Sequence, residues 1–139
     1  MSRQPTPSQT IGPFFGFALP LVDDADGRRV EGQVLDGAGE PVADALLEVW
    51  RDGLFARCRT DEEGAFHFTM PDAPFVNVTV FARGLLRHLS TRMYVPGASD
   101  EVLQQVEPGR RHTLVARQER EALRWDIRLQ SPDETVFFL

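Results

Sequence analysis

The sequence holds one cysteine, one tyrosine and three histidines in 139 residues, and each shortage removes a class of chemistry. The single thiol, Cys58, can form no disulfide within the chain; in FARCRT it alternates as a strand residue does and reads as buried and inert. His67, His88 and His112 stand apart, without a His-x-His or His-x-x-x-His pair, so spacing predicts no metal site. His67 falls on the polar face of AFHFT, and His88 and His112 sit beside arginines, which disfavour a bound cation. No Gly-x-Ser-x-Gly surrounds Ser8 or Ser90, and no glycine-rich loop opens a helix. The carboxylates of DDADG and DEEG read as solvated turn charge. No apolar run approaches the ~18 residues of a membrane span. MSRQPTPSQ lacks the apolar stretch of a signal peptide, so a cytoplasmic protein is expected. A formal charge of −6 and a pI near 5.0 argue against nucleic-acid or anionic-membrane partners.

What is present is core material in short alternating runs. Hydrophobic residues make up 42% of the chain, ten of them phenylalanine, which is enough to build one domain without disulfides. RRVEGQVLD sets Val30, Gly32 and Val34 on one face, with Glu31, Gln33 and Leu35 on the other. ALLEVW, LFARCRT, AFHFTM and FVNVTVFARG continue the period of two, separated by DGAGEPV, RDG and TDEEG turns. HTLVARQ, ALRWDIRLQ and ETVFFL read as closing strands. SDEVLQQV, Ser99 to Val106, is the one helical candidate, capped by Ser99 or Asp100. The pattern predicts an all-β protein: an antiparallel β-sandwich of about 7–9 strands with at most one short helix. Residues 1–28 read as an N-terminal arm and lead-in, with TPSQTIGPFF its stiffest part, and residues 29–139 as the sandwich domain.

TPSQTIGPFF, the LLEVW strand and its turn, RCRTDEEGAFHF, APFVNVTVFARGLLRHLSTRMYVP and RWDIRLQSPDETVFFL together resemble the intradiol ring-cleaving dioxygenases. Within that family they are most similar to the alpha-type subunit of heteromeric protocatechuate 3,4-dioxygenases. The resemblance implies a β-sandwich and a chemistry that uses Fe(III), held by two tyrosinates and two histidines, to open a catechol ring to a cis,cis-muconate. It also implies that this chain lacks the ligands. The histidine positions of the catalytic beta subunit correspond to Phe75 and Asn77. Tyr94 lies away from either tyrosine position, and the loop after EVW is reduced to Arg51-Asp52-Gly53. Three segments are trimmed relative to the family: those before RRVEGQ, after EVW, and between AFHF and APFV.

By the same resemblance the chain is a non-catalytic subunit whose iron is bound by a beta-type partner. Thr10, Gly12, Pro13, Phe14 and Arg83 are the residues expected to line the partner's pocket for an aromatic dihydroxybenzoate. Arg83 would offer a planar cation to the substrate carboxylate, while Gly12 and Pro13 would give the arm a close, fixed approach. The alternative is a stand-alone sandwich, a binding or interaction module of the transthyretin-like kind, which shares the DGAGEPV and TDEEGAF rhythm.

Overall fold

In a computed structural model the described residues are 27–138, and they form nine strands in two sheets. In chain order these are β1 (Arg28–Leu35), β2 (Leu46–Arg51), β3 (Leu54–Arg59), β4 (Ala65–Met70), β5 (Phe75–Phe81) and β6 (Leu89–Tyr94). After β6 come α1 (Glu101–Gln105) and a 3-10 helix (Pro108–Leu114), then β7 (Arg117–Glu119), β8 (Ala122–Arg124) and β9 (Ile127–Arg128). One sheet runs β4-β1-β8-β7 with β9 also on β1; the other runs β3-β2-β5-β6. Among the described residues no helix is long and apolar enough to cross a membrane.

The alternation read from sequence sets the inner faces. Val30 and Val34 of β1, Leu47 and Val49 of β2, Phe66, Phe68 and Met70 of β4, and Val76, Val78 and Val80 of β5 are all buried in one cluster between the sheets. The β2–β3 turn is the shortest possible hairpin. Asp52 at φ 34° and Gly53 at φ 90° both take the positive values that a twist-matched two-residue turn requires. The DGAGEPV and TDEEGAF rhythm also has one chemical cause. Asp36 Oδ1 accepts from the amides of Ala38 and Glu40, and Asp61 Oδ1 accepts from those of Glu63 and Ala65, so each aspartate folds its own turn.

Four readings change in detail. ALRWDIRLQ is not one strand but β8 and β9, both parallel to β1, so this sheet is mixed while the other is antiparallel throughout. The break is bridged chemically: Trp125 N donates to Glu31 O at 2.9 Å, and Asp126 Oδ1 accepts from Gln33 N at 2.9 Å in place of a main-chain carbonyl. HTLVARQ begins inside the 3-10 helix, where Thr113 Oγ1 donates to Arg110 O, and becomes a strand only at Arg117. ETVFFL contributes a single bridge, Phe138 to Ser90, rather than a strand. The helix is shorter than its candidate span, and Asp100, not Ser99, caps it through Leu103 N at 2.9 Å.

Cys58 is half-buried against the core, and burial pushes its thiol up to about 12, so the thiolate needed for reactivity is disfavoured.

Gly32 is where β1 is most tightly enclosed. A Cβ there would lie 1.7 Å from Trp125 O and 2.8 Å from Phe66 Cζ. The first neighbour is backbone and cannot swing aside. Gly32→Ala is therefore expected to destabilise the fold by about 3 kcal/mol or more, read as a fall in the urea-unfolding midpoint or as loss of soluble protein. Wild-type stability in this variant would refute the close approach.

Candidate functional site

Phe75 and Asn77 lie two apart on β5 and face outward, away from the core that takes Val76 and Val78. The register sets Tyr94 opposite Phe75, and it flanks Asn77 with Arg92 on one side and Trp50 on the other. The Phe75 ring is sandwiched: the Arg51 guanidinium carbon sits 4.1 Å from its centroid and that of Arg92 4.3 Å. The Tyr94 ring packs beside it, tilted by 44° with centroids 5.4 Å apart. Asn77 Nδ2 donates to Trp50 O at 3.2 Å, tying the amide to the neighbouring strand.

Tyr94 is the centre of a second, smaller core on this outer face, with Leu103, Val106 and Leu114 of the helical segment. Its hydroxyl donates to Asp100 Oδ1 at 2.8 Å, and Arg92 Nη1 donates to both the hydroxyl and Asp100 Oδ2, at 3.2 and 3.3 Å. The Tyr94 phenol is raised above its ordinary 10.0, first by burial and then by Asp100, against the opposing pull of Arg92. Asp100 is shifted the other way. Burial acts to raise it, but the Leu103 amide, the Tyr94 hydroxyl and Arg92 outweigh that and hold its carboxyl below 3.8.

These residues do not fit a ferric ion. Fe(III) in this family's chemistry calls for anionic oxygen and imidazole donors. Position 75 offers a hydrocarbon ring under two cations, position 77 a neutral amide, and Tyr94 a phenol pushed away from its phenolate. Among the described residues no group of three or more His, Cys, Asp and Glu side chains is gathered for a metal. His67, His88 and His112 are all exposed and do not converge; the His88 ring packs against Phe81, tilted by 41° with centroids 5.4 Å apart.

Arg83 belongs to a different place. It follows β5 at the end opposite Phe75, and the strand between them is about 20 Å long. Its side chain is 86% exposed, with Nη2 3.6 Å from Asp44 Oδ2. Together with Asp36, Pro41, Asp44, Leu85 and Gln130 it lines a groove of about 320 Å³. Thr10, Gly12, Pro13 and Phe14 lie outside the described residues. The Arg51–Phe75–Arg92 sandwich and the Asp44–Arg83 pair were not found from sequence, because each joins residues separated along the chain and no local pattern marks them.

The lowered Asp100 carboxyl has a sign that can be measured. A depressed folded-state value gives stability that is complete above the unfolded value and is lost as pH falls through the folded one. Asp100→Ala is expected to lose about 1 kcal/mol at neutral pH, the usual worth of a cap. The gap from wild type should narrow as the pH falls below about 5, where the unfolded and then the folded carboxyl take up a proton, in urea-unfolding titrations. A gap that stays constant with pH would remove the carboxylate from the account.

No protein-family profile matches the chain. Among curated proteins it is similar to the protocatechuate 3,4-dioxygenase alpha chain of Burkholderia cepacia, 35% identical over 189 aligned positions that cover 96% of each protein. It is equally similar to that of Pseudomonas putida, 35% identical over 191 positions, 96% of this chain and 95% of the relative. Both alignments are much longer than the 139 residues available, so the relatives carry segments that this chain lacks. Among solved structures the fold matches the dioxygenase domain of a Streptomyces carbohydrate-binding fusion protein, at a TM-score of 0.58 and 20% identity over 92% of this chain and 99% of that one. It also matches hydroxyquinol 1,2-dioxygenase from Pseudomonas putida, at a TM-score of 0.59 and 19% identity over 92% and 67%. With 35% identity sustained across 96% of its length, the chain belongs to the family of protocatechuate 3,4-dioxygenase alpha chains.

Proposed function

We propose that this chain is the non-catalytic alpha-type subunit of a heteromeric, cytoplasmic protocatechuate 3,4-dioxygenase whose Fe(III) is held by a beta-type partner. The observation that carries the reading is the state of β5. In a chain of this family, the two positions assigned by resemblance to iron-binding histidines hold a phenylalanine clamped between guanidinium groups and an asparagine tied to backbone. What the chain offers instead is surface. Trp50 and Phe55, a cross-strand pair each 46% exposed, and a fully exposed Leu86 are large apolar groups of the kind a partner subunit covers.

Arg83 supplies the chemistry on this side of the shared site. An aromatic dihydroxybenzoate presents a carboxylate away from the two hydroxyls at which the ring opens, and a planar guanidinium can pair with it through two parallel hydrogen bonds. Binding of that kind orients the ring without taking part in bond cleavage. Thr10, Gly12, Pro13 and Phe14 of the arm are assigned to the same mouth by resemblance.

Co-expression with a tyrosine- and histidine-complete beta-type chain tests the proposal. The two chains are expected to co-elute, to carry the red-brown colour of tyrosinate-bound ferric iron, and to cleave protocatechuate to a cis,cis-muconate; this chain alone stays colourless and inactive. Stoichiometric iron in the isolated chain would overturn the assignment, and failure to co-elute would leave a stand-alone sandwich. In the complex, Arg83→Ala is expected to raise KM for protocatechuate about tenfold or more, the worth of a charge-assisted hydrogen bond, with iron content unchanged. An unaltered KM would remove Arg83 from the site.

A further inference from the structure

Asp44 is the residue against which Arg83 rests, and its own backbone is unusual. It sits at φ 60°, the left-handed region, in the turn that leads into β2. Its two carboxylate oxygens are divided: Oδ1 meets Arg59 Nη2 at 2.9 Å and Oδ2 faces Arg83 Nη2 at 3.6 Å. One carboxylate thus stands between two guanidinium groups, and the trio keeps a net positive charge. Arg59 is the closer partner and anchors the carboxylate from β3. Arg83 is reached through one nitrogen alone, which leaves the rest of its fork free to donate elsewhere.

We infer that Asp44 is a positioning residue for Arg83: fixed by Arg59 and by its left-handed turn, it holds the otherwise unrestrained guanidinium in the orientation that meets the substrate carboxylate. This rests on the reading of Arg83 given above. A long exposed arginine surrenders side-chain freedom whenever it binds, and a tether already in place takes part of that loss before substrate arrives. The exposure of the pair limits its strength, so the effect is about two- to fivefold rather than larger. That weakness is compatible with the role, because a dry, tight ion pair would hold the cation back from the ligand.

The geometry also sets a sign that separates positioning from mere proximity. A carboxylate near an anionic ligand repels it, so if Asp44 acted only through its charge, removing that charge would tighten binding. If it positions Arg83, removing the charge weakens binding, and only for ligands that carry a carboxylate. Asparagine is the suitable replacement, since it tolerates the left-handed backbone and keeps the shape of the side chain. Asp44→Gly is the second variant, which keeps the turn without any side chain.

The complex of this chain with its iron-binding partner is assayed with protocatechuate and with catechol, which lacks the carboxylate. Binding of 4-hydroxybenzoate, which lacks the second ring hydroxyl, is measured calorimetrically as a readout independent of turnover. Asp44→Asn and Asp44→Gly are expected to raise the protocatechuate KM and the 4-hydroxybenzoate Kd about two- to fivefold, with kcat and the catechol KM unchanged. In an Arg83→Ala background the Asp44 substitutions should add nothing. An Asp44→Asn complex that binds the carboxylate ligands equally well or more tightly overturns the inference, as does a loss shared by catechol. If Arg83→Ala raises KM while Asp44→Asn does not, only the inference falls. If Arg83→Ala is itself silent, the reading of Arg83 falls with it.

Discussion

The approach of the Trp125 carbonyl to Gly32 is the contact on which the sandwich depends. It lets one central strand, β1, bond to β4 on one side and to both β8 and β9 on the other, so that the C-terminal third of the chain closes onto its first described strand. The close approach brings Trp125 into the core and directs its indole N–H to Thr113 O at 3.0 Å, fastening the 3-10 helix to the sheet. Thr113 Oγ1 accepts from Val136 N at 3.1 Å, which fixes the tail in turn. A side chain as small as a methyl group at position 32 would interrupt this series at its start.

The outer face of the second sheet is divided between a closed end and an open one. At the closed end Tyr94, Asp100 and Arg92 join β6 to α1, and the small cluster around Leu103 and Leu114 covers the edge. Toward the open side, Trp50 and Phe55 flank a hairpin cut to two residues, with no longer loop between them. The trimming inferred from sequence agrees with the surplus length of the alpha-chain alignments. A short turn therefore both tightens β2 against β3 and leaves their aromatic groups uncovered.

Much of the fold was legible because its determinants are local. The period-two runs gave β1 to β5, Asp-Gly gave the hairpin, and the Ser99-Asp100 pair ahead of an acidic turn narrowed the helix cap to two residues. The break in ALRWDIRLQ was not legible, since the Asp126 carboxylate replaces a carbonyl only in the presence of Gln33 on another strand. HTLVARQ misled for a similar reason: its apolar alternation is real, but Pro108 and the Thr113–Arg110 bond wind its first half. At the site, the absence of a good ferric-ion donor at positions 75 and 77 was legible from the residue types. What fills that place was not, because Arg51 and Arg92 come from two other strands.

That filling makes position 75 a difficult place to build a metal site. In an empty cage a single substitution could introduce a donor and some affinity. Here two positive charges stack on position 75, so an imidazole placed there would first meet guanidinium groups that repel a trivalent cation. Such a site would require removing Arg51 and Arg92, yet Arg92 also helps bind β6 to the helix through Asp100. Position 75 is part of the scaffold, and the groups around it are held in place by the stability of the fold.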